Sequence, residues 1–171
     1  MKITAMNMDI TKIGKKADAI VNAANRSLLG GGGVDGAIHK AAGPELLEEC
    51  RKLNGCEVGE AKATKAYRLD NKYIIHTVGP QYYYNPVTAK DLLADAYLNC
   101  LKLADELGLK TIAFPSISTG AYGYPVKEAA EICAKVVCNY KPKTLIEAYM
   151  CIYPYDDVNV KIYNDAFSKY R

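Results

Sequence analysis

Asn25 and Asp35 stand on either side of an unbroken run of four glycines, Gly30 to Gly33, and these types at this spacing outline a chemistry. Glycines between a strand and a helix let backbone N–H groups come close to an anion, and the helix N-terminus adds partial positive charge. Such a cradle suits a pyrophosphate, with Asn25 and Asp35 as polar side chains at its rim. A carboxylate beside a diphosphate is electrostatically unfavourable. Its presence there points to a use, such as polarising a water as general base or orienter. A plainer reading stays open for each residue. An Asp in the first helical turn favours capping and the macrodipole, and Asn25 could cap a turn through its own backbone. Asn22, in the same run, reads as a structural turn residue of that kind.

Other candidates are weighed in the same way. His39 follows Asp35 by one helical turn on the same face, which makes a dyad conceivable. His76 lies inside an apolar strand and reads as a core histidine with its hydrogen bonds satisfied. A second loop rich in glycine and small residues, Ser116–Tyr124 (SISTGAYGY), could close on the same diphosphate from the other side. Tyr82, Tyr83 and Tyr84, after Gly79 and Pro80, could border the site. Lys62, Lys65 and Arg68 read as solvent-facing strand positions.

The elements that must position these residues alternate between strand and helix. Strand character falls near Lys2–Met6, Ala19–Ala23, Ala63–Tyr67, Tyr73–Thr77, Thr111–Pro115 and Leu145–Ile152. Helical patterns fall near Val34–Ala42, Glu45–Leu53, Thr88–Leu107, Pro125–Tyr140 and Asp156–Tyr170. The third helix carries the stripe Leu92, Leu93, Ala96, Tyr97, Cys100, Leu101 and Ala104 and stops at Gly108. Alternation of this kind implies an α/β layered domain with a largely parallel sheet, in which ligands bind beyond the carboxyl ends of the strands. Both loops are expected there. With no repeat or linker, residues 1–171 are expected to form a single domain.

Composition narrows the function classes. The chain has 171 residues, 50% of them hydrophobic, and a net charge of +3, too mild to argue for nucleic acid. No apolar segment approaches the ~20 residues of a membrane span, and no secretory leader pattern opens the chain, so a cytoplasmic protein is expected. The six cysteines form no CxxC pair and no zinc-like spacing; reduced structural thiols are expected, with no metal. Hydride transfer with NAD is a weak alternative, because no acidic residue follows the glycines at the right strand end.

Taken in order, AIVNAAN, GGGGVDGAIHKAAGPEL, GCEVGEAKAT, IIHTVGP and PSISTGAYGYP resemble a macrodomain, and most of all the MacroD-type branch. The resemblance runs from Met8 to about Ile152. It implies a three-layer α/β/α fold with a central mixed sheet. It also implies ADP-ribose or O-acetyl-ADP-ribose as ligand, and mono-ADP-ribosylated proteins as partners. On this resemblance Asp9 accepts from the adenine amino group, Ile10 contacts the base and Tyr153 stacks on it. The loop that includes Gly32, Gly33 and Val34 and the loop Ser118, Thr119, Gly120, Ala121 and Tyr122 hold the diphosphate, with Tyr122 shaping the distal-ribose end. Asn25 binds the distal ribose and Asp35 sits near its anomeric carbon. Met8 stands where the family usually has Gly. The implied activity is that of a hydrolase that removes ester-linked mono-ADP-ribose from Asp or Glu, or deacetylates O-acetyl-ADP-ribose, without a cofactor. A reader module that binds ADP-ribose without turnover is the alternative.

Overall fold

Successive residues of a strand point to opposite faces, and in this chain both faces are apolar. A computed structural model, describing residues 1–170, shows why. The strands are β1 (Lys2–Asn7), β2 (Ala19–Ala23), β3 (Ala61–Lys65), β4 (Tyr73–Thr77), β5 (Thr111–Pro115) and β6 (Glu147–Ile152). They form one sheet in the order β1-β6-β5-β2-β4-β3. Every neighbouring pair is parallel except β3 with β4. Val21, Ile75, Ile112, Phe114 and Met150 pack in one core with α3 (Pro86–Glu106), α4 (Val126–Asn139) and α5 (Asp157–Ser168). Their strand neighbours Ile20, Ile74, Ala113, Tyr149 and Cys151 pack in a second core with α1 (Gly33–Ala42) and α2 (Glu45–Lys52). Covering both faces with helices is what a mostly parallel sheet requires. The result is the expected three-layer α/β/α fold with a mixed sheet.

Local chemistry sets the element ends. Helix α3 begins two residues ahead of its expected start, because Asn85 caps it by accepting from Thr88 N–H at 3.3 Å and Pro86 occupies the first turn, where a missing N–H costs nothing. Strand β3 lies two residues ahead of its expected place. Tyr67 has φ +54°, a left-handed conformation that extended backbone excludes, while Ala61 pairs with Thr77. Two short 3-10 turns, Ile10–Lys12 and Gly14–Lys16, have no periodicity for a sequence reading to detect.

Lys62 departs from its expected solvent-facing place. It is half-buried, and its amine donates to the carbonyls of Leu53 at 2.8 Å and Gly55 at 2.5 Å, closing the turn after α2. Lys65 and Arg68 are exposed. Cys50, Cys56, Cys100, Cys133 and Cys151 are buried thiols. Burial pushes Cys50 and Cys56 up to about 11 and Cys151 to about 12, so they behave as small hydrophobes. Among the described residues no helix is long and apolar enough to cross a membrane.

Candidate functional site

The strand order lays the candidate residues along one rim of the sheet. Asp9 and Ile10 follow β1, Tyr153 follows β6, and Ser116–Tyr124 follow β5. Asn25 and the glycine run follow β2, and Gly79–Tyr84 follow β4. From β1 to β2 is three inter-strand steps, about 14 Å, the span of an extended ligand rather than of a single sugar.

At the β2 end, Asp35 is 4% exposed and does not cap α1; the N-cap position is Gly32, with no side-chain hydrogen bond. The carboxylate turns inward instead, and its Oδ1 accepts from Asn22 Nδ2 at 2.8 Å. Asn22 is therefore no turn residue. It lies inside β2, fully buried, and the same Nδ2 meets His76 Nδ1 at 3.1 Å. Asn25 donates through Nδ2 to Gly30 C=O at 2.9 Å and accepts through Oδ1 from Ser27 Oγ at 2.6 Å. The Cβ position of Gly31 lies 3.2 Å from Asp35 Oδ2 and 3.4 Å from Asn25 Nδ2, so both side chains converge on that glycine. Gly30 has φ +95° and Gly33 φ +57°, conformations costly for any other residue. His39 Nε2 is 3.4 Å from Asp35 Oδ1 and has no hydrogen-bond partner among the described residues. The pair is in ion-pair range without forming a dyad hydrogen bond.

At the β5 end, Ser118 takes φ +66° and is buried, Thr119 and Tyr122 are half-buried, and Gly120 and Ala121 are exposed. The loop is braced from three sides. Thr119 Oγ1 donates to Ser116 Oγ at 2.7 Å, and Ser116 Oγ is bonded in turn to Tyr163 OH of α5. Tyr82 N–H donates to Tyr122 C=O at 2.9 Å, and the Tyr83 ring lies against Gly123, which brings the tyrosine cluster to the border of this loop. Gly79 supplies the third brace. A Cβ there would come within 2.3 Å of Ser118 Oγ and 2.6 Å of Ile117 Cγ2. Gly79→Ala is thus expected to lower stability in urea unfolding by about 1–3 kcal/mol, the usual cost of overpacking.

At the β1 end, Met8 N–H donates to Ile152 C=O at 3.0 Å and brings Asp9 beside the last strand. Asp9 Oδ1 accepts from Thr11 N–H at 3.0 Å and Thr11 Oγ1 at 2.7 Å. Tyr153 is 59% exposed and meets Tyr155 edge-on at 6.0 Å. The Ile10 side chain, 4% exposed, is taken up by the core on the α1 face. Among the described residues no cluster of His, Cys, Asp or Glu is arranged to hold a metal ion.

Sequence reading missed the connection beneath the β2 end. His76 bridges Asn22 to Thr64 Oγ1, 2.9 Å from its Nε2, and to Cys50 Sγ at 3.9 Å. Burial, with the nearby His39 charge, lowers its pKa from 6.5 to about 3. An unfolded chain therefore takes up a proton here below pH 6.5 that the native state refuses, so stability falls as pH falls through that window. Between pH 6.5 and 5 the loss from this group is expected to be about 2 kcal/mol. Urea unfolding at the two pH values checks it, and His76→Phe should flatten the dependence.

A layered α/β domain with two glycine-rich loops on the carboxyl rim of a mixed sheet is the architecture of a macrodomain. Residues 21–133 match the Macro domain family, and the chain belongs to it. Curated relatives include Macro domain-containing protein CT2219 of Chlorobaculum tepidum, 61% identical over 135 residues (79% of this chain, 77% of that one). The O-acetyl-ADP-ribose deacetylase of Escherichia fergusonii is 48% identical over 167 residues, covering 95% and 93%. The ADP-ribose glycohydrolase MACROD2 of Xenopus laevis is 47% identical over 174 aligned residues, 99% of this chain and 40% of that longer protein. Among solved structures, a variant of the Oceanobacillus iheyensis macrodomain with ADPR superposes with TM-score 0.87 at 39% identity, covering 96% and 91%. The Trypanosoma brucei macrodomain in complex with ADP-ribose gives TM-score 0.81 at 40% identity, covering 95% and 68%.

Proposed function

We propose that this chain binds ADP-ribose across the rim and hydrolyses the ester that joins its distal ribose to a protein Asp or Glu, or to acetate. The observation that carries the reading is the convergence on Gly31 of the buried Asp35 carboxylate and the Asn25 amide, 3.2 and 3.4 Å from its Cβ position. A reader needs donors for the diphosphate and a surface for adenine. It has no need of a desolvated carboxylate beside two phosphates. In this reading Asp9 and Tyr153 take the adenine, with Ile10 beneath. The loop of Gly32, Gly33 and Val34 and the loop of Ser118, Thr119, Gly120, Ala121 and Tyr122 hold the diphosphate through backbone amides. Asn25 holds the distal ribose. Asp35, with the ligand's own phosphate, orients a water and accepts its proton as the hydroxide attacks the ester acyl carbon; it returns that proton to the ribose oxygen as the acyl–oxygen bond breaks, releasing a carboxylic acid and the ribose hydroxyl. Most of the acceleration comes from positioning, which reaches ~7–11 kcal/mol in favourable cases. Mono-ADP-ribosylated proteins and O-acetyl-ADP-ribose are the substrate classes, and relatives named as deacetylase and glycohydrolase support both.

Calorimetry with ADP-ribose, paired with release of ADP-ribose from a glutamate-modified protein and of acetate from O-acetyl-ADP-ribose, tests the reading. Binding with turnover of either ester is expected. Binding without turnover would make the chain a reader, and no binding would remove the assignment altogether.

A further inference from the structure

Resting on the hydrolase reading, we propose that His76, a buried strand residue that touches no part of the rim, is a positioning residue that sets the orientation of the Asp35 carboxylate through Asn22. The hydrogen bonds admit one arrangement of protons. Asn22 Nδ2 meets two partners, Asp35 Oδ1 at 2.8 Å and His76 Nδ1 at 3.1 Å, and an amide nitrogen only donates. His76 Nδ1 must therefore be the acceptor, and its proton sits on Nε2. That N–H donates to Thr64 Oγ1 at 2.9 Å, while the Thr64 hydroxyl spends its own proton on Lys65 C=O at 3.1 Å. The chain of donors runs one way, from Asn22 into His76 and from His76 to the main chain of β3.

The opposite arrangement is unfavourable at each link. Flipping the Asn22 amide would set its oxygen against the Asp35 carboxylate. Protonating His76 at Nδ1 would set an N–H against the Asn22 amide hydrogens. The surroundings favour the neutral ring. Cys50 is held as a thiol by burial, His39 lies nearby as a cation when protonated, and the amine of Lys62, the register partner of His76, is turned to the carbonyls of Leu53 and Gly55. Asn22 Oδ1 is buried with no partner among the described residues. The amide therefore gives up a hydrogen bond at its oxygen end to present Nδ2 to both acceptors. A residue serving only as core filler would not require that sacrifice.

The test combines a spectroscopic readout with two variants. Nitrogen-15 shifts of the His76 ring in the whole protein at neutral pH are expected to show the proton on Nε2 and a bare Nδ1. His76→Phe keeps the ring volume and removes the acceptor. It should lower kcat at least about tenfold, within the range orienting partners carry, with ADP-ribose affinity changed less than about threefold. His76→Asn, which can place an oxygen near the lost Nδ1, should recover most of the rate. A proton on Nδ1, an unchanged kcat in His76→Phe, or parallel loss of affinity and turnover would each overturn the inference. Should His76→Phe fail to fold, the wild-type tautomer and the kcat of His76→Asn decide it. Wild type that binds ADP-ribose without turnover would defeat the hydrolase reading instead. The position of the Asp35 carboxylate in crystals of His76→Phe, displaced from Asn25 or unmoved, would then support or overturn the positioning role by itself.

Discussion

Asp35→Ala is expected to bind ADP-ribose as tightly as wild type, or slightly more tightly, while kcat for ester hydrolysis falls about 10²–10⁴-fold. The two effects separate because the carboxylate contributes nothing attractive to the ground state. Beside a diphosphate its charge opposes binding, and it becomes useful only when the attacking water must lose a proton. Removing it also leaves a hydrogen of the buried Asn22 amide unpaired, a stability cost of about 1–3 kcal/mol. Turnover and calorimetry are therefore to be measured well below the melting temperature of the variant. Asp35→Asn separates the charge from the shape. Its side-chain oxygen can still accept from Asn22, so the fold should hold and the rate should still be lost. Turnover within about tenfold of wild type in both variants would take Asp35 out of the chemistry.

Gly36→Ala is expected to damage binding, although by helix propensity alone it should stabilise α1 by about 1 kcal/mol. A Cβ at Gly36 would come within 2.6 Å of the Gly31 carbonyl oxygen. That atom is backbone, so no rotamer change relieves the contact. The loop must move, at a cost of about 1–3 kcal/mol, and overpacking outweighs propensity. Gly31 is where the Asn25 and Asp35 side chains meet, so its displacement spreads to the Asn25–Gly30 hydrogen bond and to the diphosphate cradle. ADP-ribose affinity should fall at least about tenfold, equivalent to ~1.4 kcal/mol, with kcat reduced as well. A melting temperature above wild type together with unchanged affinity would show that the loop yields freely.

Much of this was legible in the residues. Each strand and helix announced itself, because a sheet buried on both faces reads as short apolar runs, and amphipathic helices fall between them. The two glycine-rich loops could be placed on one rim from chain order alone. What escaped was tertiary. The capping alternative for Asp35 stays open in the sequence because first-turn position is a local property, whereas the direction of its carboxylate depends on Asn22, a residue of the neighbouring strand. The link was within reach of period-two reasoning, since Asn22 continues the face of Ile20 and His76 the face of Ile74, both turned toward α1 and α2. Their register as partners required knowing that β2 and β4 are neighbours. Lys62 looked exposed because nothing local reveals the turn carbonyls that hold its amine.

The place of β6 has a consequence for how the protein comes into being. This strand, Glu147–Ile152, is inserted between β1 and β5 and is, among the described residues, the sole sheet partner of β1. During synthesis β1 must wait for β6, which follows every other strand of the sheet in the chain. Such long-range closure is slow compared with local contacts. Asp9 and Tyr153, at the two ends of this wait, come to the same stretch of rim only when β6 slots home. The central loops can take shape earlier around β2 and β5, but the far end of the cleft belongs to the finished molecule. A nascent chain that has not yet added β6 has no complete site to offer a ligand.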